Sequence, residues 1–228
     1  MPAVSVSWPQ AHRIIRTVFP PIDLFEDLAD PADWEALASA EAKTNPRVMD
    51  QIGDLGLVPI ERRVGGEGAS FLMAPFVHVS KDRPGRFTDG SYGVYSAGDS
   101  EEVAIREVAY HHARFMKSTD EEPGWTSQFR CLVGSLNAEL HDVFGIPDIC
   151  DPDDWTAGQD VGRQLRTAGS DGVLYPSVRS PGGNCVGLFW PDVVGRPLSQ
   201  ASHYDFHYDG DIVDRVRRHD DRQILSLV

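Results

Sequence analysis

Cysteines are few in this chain and poorly placed for pairing. Its 228 residues include three, Cys131, Cys150 and Cys185, which are odd in number and far apart. Such cysteines do not form a disulfide framework, and there is no CxxC pair with the usual zinc spacing. We therefore expect no metal site built on cysteine and a protein of a reducing compartment, most simply the cytoplasm.

Long apolar runs are lacking as well. No stretch approaches the roughly 20 apolar residues that a membrane-spanning helix needs. The N-terminal segment MPAVSVSWPQAHRIIRT has neither the basic part nor the apolar part of a secretory signal. We expect no association with membranes.

Basic residues are scarce relative to acidic ones. The chain has 21 lysines and arginines against 35 aspartates and glutamates, a formal charge of −14. Nucleic-acid binding needs a positive surface, so we expect no direct contact with nucleic acid. Seven carboxylates and no base lie between Asp23 and Glu41. They form either a solvated helix face or a docking surface for a basic partner.

Turn residues and apolar spacing predict one compact α+β unit, a mixed sheet with helices. Residues 22–58 are predicted to be helical, EGASFLMAPFVHVS to form one or two strands, and YGVYSA to form a strand. A helix is predicted to follow Ser100, then a strand over QFRCLVGSLNAELHDV, a helix and two strands over residues 156–190, and a hairpin over HYDFHYDGDIVDRVRR. Residues 1–58 are interpreted as a mainly helical segment and residues 59–228 as the main domain.

The stretch GRFTDGSYGVYSAGDSEEVAIREVAYHH is unusually rich in functional side chains. Arg86 lies in a loop, Tyr95 in the following strand and Glu107 on the next helix. Because the strand and the helix are expected to pack together, these three side chains can meet at one end of the sheet.

The segments GRF, GVYSA and AIRE, followed later by YPSVRSPGGNCVGLF, resemble the RES-domain family over roughly residues 60–200. Members carry a Gly-Gly-Arg-Trp-Asn-like loop, a strand ending in tyrosine, an Ala-x-x-Glu helix and a Pro-Ser strand end followed by an asparagine. This chain departs in having Phe87 where tryptophan is usual and a single glycine, Gly85, before the arginine. The charged and hydroxyl positions are retained.

The resemblance implies a toxin of a bacterial toxin–antitoxin pair. RES proteins consume NAD by hydrolysis or phosphorolysis, some look like mono-ADP-ribosyltransferases, and their fold is similar to that of ADP-ribosylating toxins. It also implies an Xre-type helix-turn-helix antitoxin as partner. No Rossmann or P-loop fingerprint is present, so NAD is expected to bind as substrate in another manner.

The chemistry of NAD cleavage assigns expected roles to these residues. Arg86 would hold the pyrophosphate with parallel hydrogen bonds, and Glu107 would stabilise the oxocarbenium-like cation at the ribose. Tyr95, or else Tyr92, would stack on the nicotinamide. The remaining expected contacts come from Ser177, which would bond the ribose or the amide, and from Asn184, with His12 or Arg16 as outer contributors.

Several other interpretations stay open from sequence alone. His111 and His112 follow Glu107 at helical spacing, which favours a salt bridge over a metal pair. HYDFHYDGD places His203, Asp205, His207, Asp209 and Asp211 on one strand face, which suits a polar hairpin better than a metal site. The whole chain is alternatively a non-catalytic interaction module that binds a basic partner.

Overall fold

The computed structural model describes residues 1–26, 30–45 and 47–227, and the side chain of Asp23 is outside this description. Asp27 of the acidic stretch and Pro46, which was expected to separate two helices, also lie outside the described residues. Within the described ranges, no helix has the length and apolar character to cross a membrane.

The described part of the chain begins with one long strand, continues with four short helices and ends with five successive strands. The strands are β1 (Ala3–Arg16), β2 (Tyr95–Gly98), β3 (Thr126–Asp142), β4 (Gly172–Pro176), β5 (Asn184–Leu188), β6 (Val194–Tyr208), β7 (Val213–Arg218) and β8 (Ile224–Ser226). The helices are α1 (Asp23–Glu26), α2 (Trp34–Ala42), α3 (Arg47–Ile52), α4 (Ala69–Val77), α5 (Glu101–Ser118) and α6 (Thr156–Thr167). The predicted helix after Ser100, the long strand and the C-terminal hairpin are confirmed.

The strands form one mixed sheet in the order β1-β2-β5-β4-β3-β6-β7-β8. Only β3 and β4 pair in parallel, and the other neighbours are antiparallel. Because β1 also pairs with β3, the strands β1, β2, β5, β4 and β3 close into a ring. The prediction of an α+β fold with a mixed sheet is confirmed.

The segment EGASFLMAPFVHVS is a helix, and its prediction as one or two strands is wrong. Helix α4 covers Ala69–Val77 and buries six of its nine residues, Ala69, Ser70, Leu72, Met73, Phe76 and Val77. A helix buried on most sides shows no amphipathic period, so its short apolar run reads like a buried strand.

Residues 3–16 belong to the sheet. Strand β1 pairs with β3 from Ala3 to Arg16, with a register shift between Trp8 and Ala11. Helices begin only at Asp23, so the segment 1–58 combines a strand with short helices rather than being helical throughout. The division at residue 58 stays a prediction.

Three apolar clusters lie around the ring of strands. One joins β1 and β3 to helices α2–α4, with Trp34, Leu72 and Met73 fully buried. A second packs α5 on β6 and β7, and the third packs α6 on β4 and β5. The elements that carry Arg86, Glu107 and Ser177 therefore rest on a continuous packed support.

Candidate functional site

Arg86 is held from two sides. Its Nη1 donates hydrogen bonds to the carbonyl oxygens of Ile149 (2.9 Å) and Asp151 (2.8 Å). Helix α6 packs against the backbone of the same loop, because a Cβ added at Gly158 would lie 2.2 Å from the Arg86 carbonyl oxygen. The glycine thus allows the helix to approach, and the loop presents the guanidinium in one position.

Glu107 is on α5, a helix whose start and packing are both defined by its sequence. Ser100 is the N-cap, and its side chain accepts from the Val103 backbone N–H at 3.3 Å. Glu101 and Glu102 lie in the first turn, where they complement the helix dipole. The apolar face is buried against the sheet, which directs Glu107 toward the loop after β4.

One oxygen of the Glu107 carboxylate is fixed by three donors. Its Oε1 accepts from Ser177 Oγ (2.6 Å), from the backbone N–H of Val178 (2.9 Å) and from that of Arg179 (3.2 Å). Among the described residues, none donates to Oε2. A carboxylate held in this way is fixed in orientation and keeps one oxygen for another group.

Arg86 and Glu107 line the same cavity, which has a volume of about 280 Å³ and which we call the Glu107 cavity. Ser177 joins it through its hydrogen bond to Glu107. The structure therefore brings together three of the residues singled out from sequence: one on a loop, one on a helix and one at a strand end. A neighbouring polar cavity of about 560 Å³ shares lining residues with the Glu107 cavity, among them Arg86 and Tyr175.

Tyr95 does not lie in the Glu107 cavity, and its placement does not fit the expected stacking on nicotinamide. The side chain is fully buried, and its ring faces the Arg13 guanidinium at 4.6 Å. Burial raises the pKa of the Tyr95 hydroxyl to about 12. A ring enclosed by the core has no face to offer a ligand.

Tyr92 and Asn184 hold the surrounding loops. The Tyr92 hydroxyl donates to the Phe87 carbonyl oxygen at 2.6 Å, and its ring carries the Arg166 guanidinium at 4.8 Å. Asn184 Nδ2 donates to Asp99 Oδ2 at 2.9 Å. Through these contacts, Tyr92 supports the loop and Asn184 the strand next to the Glu107 cavity. Tyr92 also lines the neighbouring polar cavity.

Of the two outer contributors, the structure places only His12 at the Glu107 cavity. Burial lowers the pKa of His12, and the charges of Glu101 and Asp99 oppose that shift. Arg16 instead lines a separate apolar cavity. Its position on β1 follows from the register with β3, which sequence reasoning did not supply.

Several polar and aromatic residues of the lining were not expected at the cavity from sequence. They are Arg13, His111, Trp155, Tyr175 and Cys185. Tyr175 is the clearest omission, because it precedes Ser177 by two residues and strand residues two apart face the same side. Burial raises the pKa of Tyr175 well above its usual value. The ring of Tyr175 packs edge-on against Phe87 at 4.8 Å. Tyr175 is therefore the tyrosine that borders the cavity.

Aromatic and guanidinium groups form a rim next to the cavity. The Arg179 guanidinium lies 3.3 Å from the centre of the Tyr110 ring, and that of Arg114 lies 5.2 Å from the centre of the Trp155 ring. The His111 ring packs edge-on against Tyr110 and Trp155 at 5.4 and 5.7 Å. Burial lowers the pKa of His111, and the charge of Glu107 opposes that effect. Flat groups of this kind suit contact with a planar ligand or acceptor.

The histidine clusters are engaged in ion pairs and packing. His207 Nδ1 lies 2.6 Å from Asp214, and Asp205 contacts both His219 (2.9 Å) and Arg217. The predicted helix-face pair of Glu107 with His111 is replaced by the bonds from residues 177–179. Within residues 1–26, 30–45 and 47–227, no group of histidine, cysteine and carboxylate side chains could hold a metal ion.

Comparison with known proteins identifies the family. The RES domain model matches residues 60–209, about two-thirds of the chain. This chain belongs to the RES domain family. The RES match includes the loop of Arg86, helix α5 with Glu107 and the strand end at Ser177.

Two further proteins are similar to this RES domain protein. An uncharacterized protein named y4oC, from Sinorhizobium fredii, is 28% identical over 211 residues, which cover 92% of this chain and 87% of the relative. A crystal structure of the M. tuberculosis MbcT–MbcA toxin–antitoxin complex contains a chain with 15% identity and a TM-score of 0.46, with coverage of 90% and 87%.

Proposed function

We propose that the chain is the toxin of a toxin–antitoxin pair and that it cleaves the bond between nicotinamide and ribose in NAD. The observation that carries the proposal is the placement of Arg86 and Glu107 on one cavity, with Glu107 oriented by Ser177. Membership of the RES domain family supports it, because the match over residues 60–209 includes Arg86, Glu107 and Ser177.

Each side chain has a role in this reaction. The bond from ribose C1′ to the nicotinamide nitrogen breaks with its electron pair passing to the nitrogen, which neutralises the pyridinium. A positive charge develops on the ribose, and the Glu107 carboxylate stabilises it while Oε2 accepts a hydrogen bond from a ribose hydroxyl. Water, phosphate or a protein side chain then adds to C1′ and loses its proton.

Arginines position the anionic part of the substrate. Arg86 uses Nη1 for the two carbonyl oxygens of the 149–151 loop, which leaves Nη2 and Nε for the pyrophosphate. Arg13 also lines the Glu107 cavity, and its guanidinium adds a second positive charge. Tyr175 and Trp155 take the place of Tyr95 as the aromatic groups next to the nicotinamide.

The test is release of free nicotinamide from NAD by the purified chain. We expect release by the wild type and a rate at least about 100-fold lower for Glu107→Gln, because the amide cannot stabilise the cation as a carboxylate does. Glu102→Gln, on the exposed side of the same helix, is the matched control and should keep the wild-type rate. Equal rates for wild type and Glu107→Gln, or no release, would reject the proposal.

The acceptor decides between hydrolysis, phosphorolysis and protein modification. The rim of Tyr110, Arg114, Trp155 and Arg179 supports contact with an acceptor larger than water. Reactions with and without phosphate separate the first two, and labelled NAD added to a cell lysate detects mono-ADP-ribosylation of a specific protein. Label retained on one protein band would favour the transferase, and free ADP-ribose would favour hydrolysis.

We also propose an Xre-type helix-turn-helix antitoxin as the partner. Co-expression of the chain with the product of a neighbouring reading frame should relieve growth arrest and yield a stable complex on size-exclusion chromatography. Glu107→Gln should abolish the arrest and retain the complex, since the substitution changes the reaction and preserves the surface. Arrest that persists in Glu107→Gln would favour a non-catalytic interaction module.

A further inference from the structure

A second cavity, which we call the apolar groove, lies on the other side of Arg13. It has a volume of about 820 Å³ and is formed by β1, the segment that follows it, α3, α4 and one residue of β3. Its apolar wall includes Ile14, Ile15, Phe19, Ile52, Phe71 and Phe129. Cavities of this size with mainly apolar walls and few polar groups are typical of small-molecule sites.

Two arginines of β1 line the groove, and neither has a carboxylate partner among the described side chains. The Nε atoms of Arg13 and Arg16 are buried and have no hydrogen-bond acceptor. Arg13 also donates through Nη1 to the Ser96 carbonyl oxygen at 2.9 Å, whereas the Arg16 guanidinium has no acceptor in the part of the chain that the structure describes. Although the chain has 35 carboxylates and 21 basic residues, no carboxylate of the described residues pairs with Arg16, which lies half-buried beside an apolar wall.

The other polar side chains of the groove form no hydrogen bond or ion pair with Arg16 among the described residues; they are Glu41, Gln51, Ser70 and His78. Ser70 Oγ is engaged with the backbone of Ile22, accepting at 2.7 Å and donating at 3.0 Å. Glu41 is exposed and forms no ion pair with either arginine among the described residues. An anion is therefore favoured at Arg16, and an uncharged apolar group along the rest of the wall.

We propose that the apolar groove binds a single-chain amphiphile with an anionic head, a long-chain carboxylate. The carboxylate pairs with Arg16 in the two-bond geometry that a guanidinium offers, and Arg13 adds positive charge. The alkyl part of the ligand lies against the isoleucine and phenylalanine side chains of the groove, which removes apolar surface from water. Such a ligand carries no backbone N–H or C=O groups that would need partners in this wall.

Calorimetric titration with dodecanoate, below its micelle-forming concentration, tests the proposal. We expect dodecanoate to bind, with dodecanol at least about tenfold weaker because it lacks the charge that pairs with Arg16. Dodecyltrimethylammonium should not bind. Equal affinities for the three compounds, or no binding of dodecanoate, would overturn the assignment.

Variants locate the site. Arg16→Ala should remove the preference for dodecanoate over dodecanol, whereas Arg163→Ala, a surface arginine paired with Asp160 at 3.1 Å, should retain it. Ala74→Trp should fill the groove and abolish binding. If that variant does not fold, Phe19→Ala serves instead, because Phe19 lines the groove and is 56% exposed. Unchanged dodecanoate affinity in Phe19→Ala and Arg16→Ala would reject this location.

The measurement does not depend on NAD. Dodecanoate binding that persists when no nicotinamide is released would leave this inference standing while rejecting the proposed reaction. Nicotinamide release without dodecanoate binding would support the proposed reaction and reject this inference.

Discussion

The Glu107 cavity and the apolar groove both border Arg13, but their charged groups are held differently. In the cavity, Glu107 Oε1 has three donors and Arg86 has two carbonyl acceptors. In the groove, Arg16 has no acceptor for its buried Nε. The charged groups of the cavity are therefore held in place before any ligand binds, as a reacting site needs. The groove gains its pairing only from a ligand.

The largest expected effect concerns His112, through which helix α5 contacts the wall of the apolar groove. His112 lies on the same helix as Glu107, but its ring packs edge-on against Phe129 of the groove at 5.0 Å. Burial lowers the pKa of His112 to about 4. Because the unfolded chain binds the proton with a pKa near 6.5, it holds more protons than the folded chain between these values, and stability falls as pH drops through that window.

We therefore expect His112→Phe to remove a pH-dependent loss on the order of 3 kcal/mol between about pH 6.5 and pH 4. Urea unfolding at several pH values measures it, and the difference between wild type and variant isolates His112 from the carboxylates. Parallel pH profiles for both proteins would show that the histidine is not buried in its neutral form.

A smaller effect tests the orientation of Glu107. Ser177→Ala removes the 2.6 Å bond to Oε1 and leaves the two backbone donors. The rate of nicotinamide release should fall by roughly 10- to 100-fold, the range for one hydrogen bond to a charged group. Ser180→Ala, in the same turn, is the control. Equal rates for the two variants would mean that the backbone donors suffice.

The next prediction concerns the support of Arg86. Gly158→Ala places a methyl group 2.2 Å from the Arg86 carbonyl oxygen, so the loop or the helix must shift. We expect a loss of about 1–3 kcal/mol in the free energy of unfolding and a higher KM for NAD. Gly145→Ala, where no atom lies within 4 Å of the added Cβ, should leave both unchanged. A normal KM in Gly158→Ala would show that Arg86 does not hold the substrate.

The smallest expected effect is that of Tyr95→Phe, which tests whether Tyr95 lies outside the site. Its hydroxyl is buried without a hydrogen-bond partner, so Tyr95→Phe should be neutral or stabilise by up to about 1 kcal/mol. The rate of nicotinamide release should stay within about twofold of wild type, since a buried hydroxyl is not expected to meet the transition state. A tenfold loss in rate would place this tyrosine against the substrate after all.

Much of the fold could be predicted from sequence where local patterns agree with tertiary packing. Helix α5 shows its cap, its acidic first turn and its apolar face, and β3 shows its alternation. Helix α4 could not be recognised because its apolar residues are buried on most sides. Strand β1 was not predicted, because its place depends on pairing with β3, whose residues lie more than 100 positions away.

The site was predicted in part for a related reason. Arg86, Glu107 and Ser177 carry charges or hydroxyls that a family pattern marks. The choice between Tyr95 and Tyr175 depends on which face of each strand turns inward, and a shift of one residue reverses that face. Arg13 was missed because only the closed ring of strands brings β1 to the cavity.

That ring also has a consequence for synthesis. Strand β1 is made before its partners β2 and β3, and Cys185 of the cavity lies in β5, which is made after all three. Since a ribosome makes chains from the N-terminus onward, the cavity is incomplete until β5 has been made. A partner produced alongside the chain would thus have the interval between the synthesis of β1 and that of β5 in which to accumulate before any finished site exists.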